Sequence, residues 1–219
     1  MLSQNSEILK PNSTPRFSWR VILVFFLGVL CFLLTQIFTR VPLLTLLQKQ
    51  TGFMLWAMSY PLLSGVLVAM SAGVFEESGR FAFKALALKP ARSPFWEPLV
   101  FGLGHGLCEA VWLFSSIWGM VGMLEPSQII LPVVERLLAI GMHIGFSVMV
   151  WNGFQLNQRL RYLLLAILAH GLVDSLIPLT GMLGWGVMQI EGLLAGLTVL
   201  LMIYVFFSRR YYQNEVSDG

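Results

Sequence analysis

The chain has 219 residues, of which 57% are hydrophobic and only 11% are charged. Soluble domains carry roughly 25% charged residues, so the composition excludes an ordinary soluble domain and predicts a membrane protein. The net charge of +3 does not indicate a nucleic-acid partner, because the basic residues lie at the ends of apolar runs, where they orient spans in a bilayer.

Apolar runs of about 20 residues predict an all-α, polytopic bundle of six transmembrane helices, or seven at most. The predicted spans cover residues 20–39, 54–84, 97–119, 129–153, 160–180 and 184–208. The second run is longer than one crossing requires, so it should project beyond the bilayer or break near Pro61. A short amphipathic segment at 42–50 either lies on the membrane surface or belongs to another span.

The distribution of basic residues predicts the orientation of the bundle. With the N-terminus inside, only Arg40 and Lys49 fall in outer loops. The inner loops and tails then hold Lys10, Arg16, Arg20, Lys84, Lys89, Arg92, Arg159, Arg161, Arg209 and Arg210. Because positive charge accumulates on the cytoplasmic side, both termini are predicted to be cytoplasmic, in a multi-pass protein of the bacterial cytoplasmic membrane. Residues 1–18 are predicted to be a disordered tail, 19–209 a single membrane domain, and 210–219 a second tail.

Polar residues recur at one-turn spacing inside four of these apolar segments. They are Glu76, Glu77 and Arg80 in the second, His105 and Glu109 in the third, His143 and Ser147 in the fourth, and His170 and Asp174 in the fifth. Residues i and i+4 share a helix face, and ionisable groups at membrane depth usually face the interior of a bundle. The spacing and the topology together predict one buried polar site on the cytoplasmic side of the bilayer midplane.

The doubled glutamate is the strongest chemical signal in this set. Two adjacent carboxylates cannot both ionise cheaply in an apolar setting, and Arg80 can hold one of them ionised. The other is then available as a general base towards water. A salt bridge that locks the end of the helix is the structural alternative.

The histidine pairs suggest supporting roles. His105 could hold a nucleophilic water or stabilise an oxyanion, and Glu109 could fix the tautomer of a nearby imidazole. Asp174 is predicted to orient His170, whereas His143 and Ser147 could merely bridge helices. Glu135 and Arg136 are interpreted as an ion pair nearer the outer surface, and Glu191 receives no role.

Four ordered motifs across residues 70–180 carry a family resemblance. They are Glu76-Glu77-x-Gly79-Arg80, Gly102-x-Gly104-His105-Gly106-x-x-Glu109-Ala110, Glu135-Arg136 followed by His143-x-x-x-Ser147, and His170-Gly-x-x-Asp174. Together they resemble the YhfC-type intramembrane proteases, a group similar to the PrsW proteases and to the CAAX-processing and bacteriocin-processing (CPBP/Abi) proteases. The resemblance implies an intramembrane endopeptidase in which Glu76 or Glu77 activates water, with His105 and His170 as water-holding or oxyanion groups.

The cofactor and two competing functions stay open at this stage. Zinc could be held by His105, His143 and His170, but no His-Glu-x-x-His helix is present, so a metal-free site is an equal alternative. The expected partners are membrane lipids and a membrane-embedded or lipidated peptide substrate. A proton-coupled transporter would use the same polar residues as a relay, and an inactive scaffold or immunity-type protein would keep only the fold.

Overall fold

The computed structural model describes residues 19–88, 92–117 and 125–215, and these ranges contain helices and no strand. The helices are α1 (Trp19–Phe32), α2 (Val41–Gln48), α3 (Thr51–Ser59), α4 (Pro61–Leu86), α5 (Trp96–Ile117), α6 (Pro126–Gln155), α7 (Arg159–Met182) and α8 (Val187–Ser208). A π-helical segment, Leu33–Arg40, joins α1 to α2, and a 3-10 helix, Arg209–Glu215, follows α8. The predicted disordered tail, residues 1–18, lies outside the described residues.

Six helical segments of the described chain are long and apolar enough to cross a membrane. They are Trp19–Gln48, Pro61–Ala87, Trp96–Ser115, Ile129–Gln155, Arg159–Met182 and Val187–Tyr212. Large apolar side chains such as Leu30, Leu67 and Leu168 are exposed on their outward surfaces, where lipid tails are as apolar as leucine itself. The predicted all-α, multi-pass membrane bundle is therefore confirmed. The cytoplasmic placement of the termini and the division into tails and one domain stay predictions.

The first two spans show how proline and the π-helical segment shape the bundle. Segment 42–50 is not a separate surface piece, because α2 continues the first span to Gln48. The wider π-helical turn before Pro42 accommodates a residue that has no N–H to donate. The predicted break near Pro61 is present: Tyr60 leaves the helical conformation, and the short helix α3 is separated from α4.

Glycines bring α5 into close contact with its neighbours. A Cβ on Gly28 would collide with the backbone oxygen of Phe101, and a Cβ on Gly104 would collide with that of Phe25, so α1 and α5 touch backbone to backbone. Gly102 likewise abuts α6 at the His143 carbonyl. The glycines around His105 therefore serve packing, as small residues commonly do between membrane helices, and they hold α5 in a fixed position between α1 and α6.

A buried ion cluster fixes the end of the bundle where α4 ends and α5 begins. The side chain of Glu97 is fully buried and accepts hydrogen bonds from Arg20, Lys84 and the Trp151 indole, each at 2.9 Å. Lys84 is predicted to lie in an inner loop, from the distribution of basic residues. It lies instead in the last turn of α4 and is buried. Its charge can be buried there because Glu97 supplies a direct counter-ion.

Candidate active site

Glu76, Glu77 and Arg80 form the charged centre of the bundle on α4. Their exposed fractions are 1%, 0% and 0%. The Arg80 guanidinium contacts Glu77, and its Nη2 lies 3.4 Å from Oε2 of Glu76. Spacings of three and four residues place all three side chains on one side of the helix. One cation thus stands between two carboxylates in surroundings where an unpaired charge would be costly.

Each of the three histidines bonds to a glutamate on a different helix. His105 Nε2 on α5 lies 2.9 Å from Glu76 Oε2 on α4. His170 Nδ1 on α7 lies 2.6 Å from Glu77 Oε1 on α4. The third contact, at 2.7 Å, joins Nε2 of His143 on α6 to Oε2 of Glu109 on α5. Four helices are therefore connected by three imidazole–carboxylate contacts.

The tautomer of His143 follows from its two partners. Arg80 Nη2 lies 2.7 Å from His143 Nδ1. A guanidinium only donates hydrogen bonds, so Nδ1 must accept and carries no proton. The proton of the neutral ring is then on Nε2 and is donated to Glu109. His143 is thereby a link between the α4 cluster and α5.

The imidazoles form a row at the centre of the bundle. The ring centroids of His105 and His143 are 4.9 Å apart, and those of His143 and His170 are 5.9 Å apart. Phe146 stacks on His170 with its ring plane tilted by 7°, and Phe32 meets the His105 ring edge-on. The structure therefore brings together the histidines and the α4 charges that the sequence places on four separate segments.

The partners differ from those suggested by one-turn spacing. Glu77, and not Asp174, makes the hydrogen bond to His170, because Asp174 Oδ2 lies 3.6 Å from Nε2. Within the described residues, the Ser147 hydroxyl is buried without any hydrogen-bond partner, so it bonds neither to His143 nor to another helix. Carboxylates on neighbouring helices reach the imidazoles more closely than residues one turn away do.

Arg136 connects the outer part of α6 to this network. It contacts Glu135, as the sequence suggests, but its Nη1 also donates to Glu109 Oε1 at 3.0 Å. The pair is therefore an extension of the site. Glu109 is shared by one imidazole and one guanidinium.

Sequence reasoning missed Gln36 and Arg40 as members of the site. Gln36 Nε2 donates to Glu76 Oε1, and Arg40 Nη1 donates to Gln36 Oε1 at 3.0 Å. The charge distribution places Arg40 in an outer loop, but it lies in the π-helical segment of the first span. A signal was available, because these two polar residues have the same one-turn spacing as the histidine pairs.

A cavity of about 480 Å³ reaches this polar layer from within the bundle. Its walls include Glu76, His143 and His170, but not Glu77 or His105. Polar walls are also supplied by Gln36, Arg40, Glu109, Glu135, Arg136 and Asp174. The site thus has an accessible side and a side that is closed by packing.

The other lining residues show where the cavity leads. On α4 they include Gly65 and Ala69, which precede Glu76, and on α7 they include Asp174 and Pro178, which approach the end of that helix. The cavity therefore extends from the polar layer towards the end of the bundle where α4 begins and α7 ends. In the predicted orientation, that end faces away from the cytoplasm.

One group of side chains suits a metal ion. Donor atoms of Glu76, His105 and His143 all lie within 4.8 Å of one another, and all three residues are buried. One carboxylate and two imidazoles fit a divalent ion such as zinc in kind and in number, since catalytic zinc sites use three such ligands. This group differs from the predicted set of three histidines: it contains Glu76 in place of His170, which faces Glu77.

Comparisons with known proteins agree with these observations. A model of the family described as YhfC intramembrane metalloprotease matches residues 15–121 and 114–198. The uncharacterized membrane protein YhfC of Bacillus subtilis (strain 168) is 29% identical, over an alignment that covers 72% of this chain and 73% of that protein. No solved structure matches.

Proposed function

The chain belongs to the YhfC intramembrane metalloprotease family, and on this basis we propose that it is an endopeptidase that cleaves membrane-embedded or membrane-associated peptides. The observation that carries the proposal is the position of Glu76, a buried carboxylate at the wall of a cavity within the membrane bundle. The family match favours hydrolysis over proton transport and over an inactive scaffold.

Glu76 is the general base in this proposal, and Glu77 has a supporting role. Glu76 lines the cavity, whereas Glu77 does not and is engaged by Arg80 and His170. A carboxylate has about four lone-pair positions, and those of Glu76 receive Gln36, His105 and, at 3.4 Å, Arg80. The remaining position is available to a water molecule in the cavity.

The reaction follows from these roles. Glu76 takes a proton from water as the water oxygen forms a bond to the scissile carbonyl carbon. His170 lies at the cavity wall, and only its Nδ1 is bonded to Glu77, so its Nε2 is the group assigned to stabilise the oxyanion. Glu76 then returns the proton to the amide nitrogen as the carbon–nitrogen bond breaks. The products are a carboxylate and an amine.

A metal ion such as zinc would fit one group of side chains in this site. Glu76, His105 and His143 would hold it, and when bound it would supply Lewis acidity to a water or a carbonyl oxygen. Glu109 would orient the His143 ring through its bond to Nε2, and Arg80 would have to give up its contact with Nδ1, because a nitrogen that binds a metal cannot also accept a hydrogen bond.

The test compares new peptide termini in membranes from cells that produce the wild-type protein or the Glu76→Gln variant. Mass spectrometry should find cleavage products with the wild type that are absent with Glu76→Gln. Lys49→Gln removes an exposed charge that does not line the cavity and should leave these products unchanged. Identical products with Glu76→Gln and with the wild type would contradict the proposal.

A further inference from the structure

The π-helical segment of the first span brings an amide side chain against Glu76. Gln36 has an exposed fraction of 8%, and its Nε2 donates to Oε1 of Glu76. This is the carboxylate oxygen that His105 does not contact, since His105 binds Oε2. The two oxygens of Glu76 are thus held by two different elements: the π-helical segment holds one oxygen, and α5 holds the other.

The orientation of the Gln36 amide is determined by its two neighbours. Arg40 has only donors, so the group that faces it must be the Gln36 oxygen, and the contact is 3.0 Å. The ionised Glu76 carboxylate has only acceptors, so the group that faces it must be the Gln36 nitrogen. A rotated amide would place oxygen against carboxylate and nitrogen against guanidinium. Arg40 therefore holds Gln36 in the orientation that donates to Glu76.

Arg40 is itself fixed to α4, the helix that carries Glu76. Its Nη2 donates to the Val68 carbonyl at 2.8 Å, and its Nε donates to the Ser71 hydroxyl at 2.9 Å. With Gln36, the three partners of Arg40 in these hydrogen bonds are all neutral acceptors. A chain of hydrogen bonds thus runs from the α4 backbone through Arg40 and Gln36 to the carboxylate of Glu76.

The backbone around these residues is unusual in the same place. The N–H of Val41 bonds to the Gln36 carbonyl, five residues earlier, as in a π-helix. Short π-helical stretches are rare and often occur at functional sites, because the extra residue in the turn redirects side chains. Here the stretch contains both Gln36 and Arg40.

We propose that Gln36 is a positioning residue for Glu76 and that Arg40 acts through it by fixing the amide orientation. The inference rests on the proposed role of Glu76 as the base. It makes the first span part of the catalytic machinery, with Arg40 acting on Glu76 through its hydrogen bond to Gln36.

A double-mutant cycle tests this chain of contacts. Gln36→Met keeps the length of the side chain but removes the donor, and Arg40→Met removes the group that orients it. We expect Gln36→Met to lower kcat by about 10- to 100-fold, as loss of an orienting partner typically does, with KM unchanged. Arg40→Met should lower kcat less, and the double variant should be no slower than Gln36→Met alone, because Arg40 acts only through Gln36. The assay uses a peptide that is cut by the wild type but not by Glu76→Gln in the membrane comparison.

Thr39→Val is the matched control, because Thr39 lies in the same segment but is exposed, and its hydroxyl donates to the Leu34 carbonyl of its own helix. Its kcat should equal that of the wild type. Thermal unfolding of all variants reports whether the bundle is intact. Additive effects of Gln36→Met and Arg40→Met on kcat, or a wild-type rate for Gln36→Met, would overturn the inference.

Infrared spectroscopy gives a readout that needs no substrate. The carboxyl band that disappears in Glu76→Gln belongs to Glu76, and loss of the amide donor in Gln36→Met should shift it. An unshifted band would overturn the positioning role. If instead Glu76→Gln retains proteolysis while the band does shift in Gln36→Met, the proposed function fails and the contact between Gln36 and Glu76 stands.

Discussion

Glu109 on α5 accepts a hydrogen bond from His143 on α6 at 2.7 Å, while His105, one turn earlier on α5, bonds to Glu76 on α4. The acids of this site therefore join helices to one another. In a low-dielectric interior, removal of one partner leaves the other buried and unpaired. Substitutions within the network should consequently separate into those that affect chemistry and those that affect stability.

The two glutamates on α4 should differ in their effect on catalysis. Glu76→Gln should lower kcat by about 10²- to 10⁴-fold, the usual contribution of a general base. Glu77→Gln should lower kcat less than Glu76→Gln does, because the Glu77 carboxylate does not line the cavity and acts through His170 and Arg80. The measurement is steady-state peptide cleavage in proteoliposomes. A larger loss with Glu77→Gln would exchange the two roles.

Arg80→Met should destabilise the bundle by about 3–5 kcal/mol, because it leaves two buried carboxylates without their shared cation. Arg80→Lys should rescue this only in part, since an ammonium cannot contact Glu76, Glu77 and His143 together. Equilibrium unfolding in detergent measures the difference. Arg161→Met removes an exposed arginine and should change the free energy of unfolding by less than about 0.5 kcal/mol. Equal stability of Arg80→Met and the wild type would contradict the prediction.

Zinc binding should depend on Glu76 and not on His170. Elemental analysis of the purified protein should find zinc in the wild type and in His170→Ala, and should find it lost from Glu76→Ala and His105→Ala. The physical reason is that His170 is hydrogen-bonded to Glu77, whereas Glu76 and His105 have donor atoms close enough together to bind one ion. Zinc retained in Glu76→Ala but lost from His170→Ala would favour the set of three histidines.

The cavity should be reached from the side of the membrane opposite to the cytoplasm. In a variant whose Cys31 and Cys108 are replaced by alanine, Ala69→Cys at the cavity wall should react with a membrane-impermeant thiol reagent added to intact cells. Arg92→Cys, between α4 and α5, should react only after permeabilisation. The reverse labelling pattern would invert both the predicted orientation and the side from which a substrate enters.

Glu97→Gln should lower stability and leave kcat unchanged, whereas Glu76→Gln should lower kcat. Its carboxylate is the counter-ion of buried Lys84 and also accepts from Arg20 and Trp151, far along α5 from the cavity. The substitution should lower the free energy of unfolding by about 3 kcal/mol, because it removes a buried carboxylate charge that pairs with Lys84. The kcat of the remaining folded protein should be unchanged. A selective loss of kcat would show that this cluster is coupled to the site.

The amino-acid sequence by itself determined the class of the fold and the list of candidate residues. Long apolar runs can cross a membrane only as helices, so six spans follow from composition and length. Polar residues that recur inside such runs must find partners within the bundle, so Glu76, His105, His143 and His170 are identifiable from the sequence alone.

Only the tertiary structure decided which partner each residue takes. Helical spacing identifies neighbours one turn apart, but the distance across two helices depends on how closely and at what rotation they pack, as where Gly104 meets the α1 backbone. Thus Glu109 pairs with His143, Glu77 with His170, and Gln36 with Glu76, although none of these pairs is close in sequence. In apolar surroundings a buried polar side chain bonds to the nearest available partner. Which partner is nearest depends on how the helices pack, and the sequence does not give that distance.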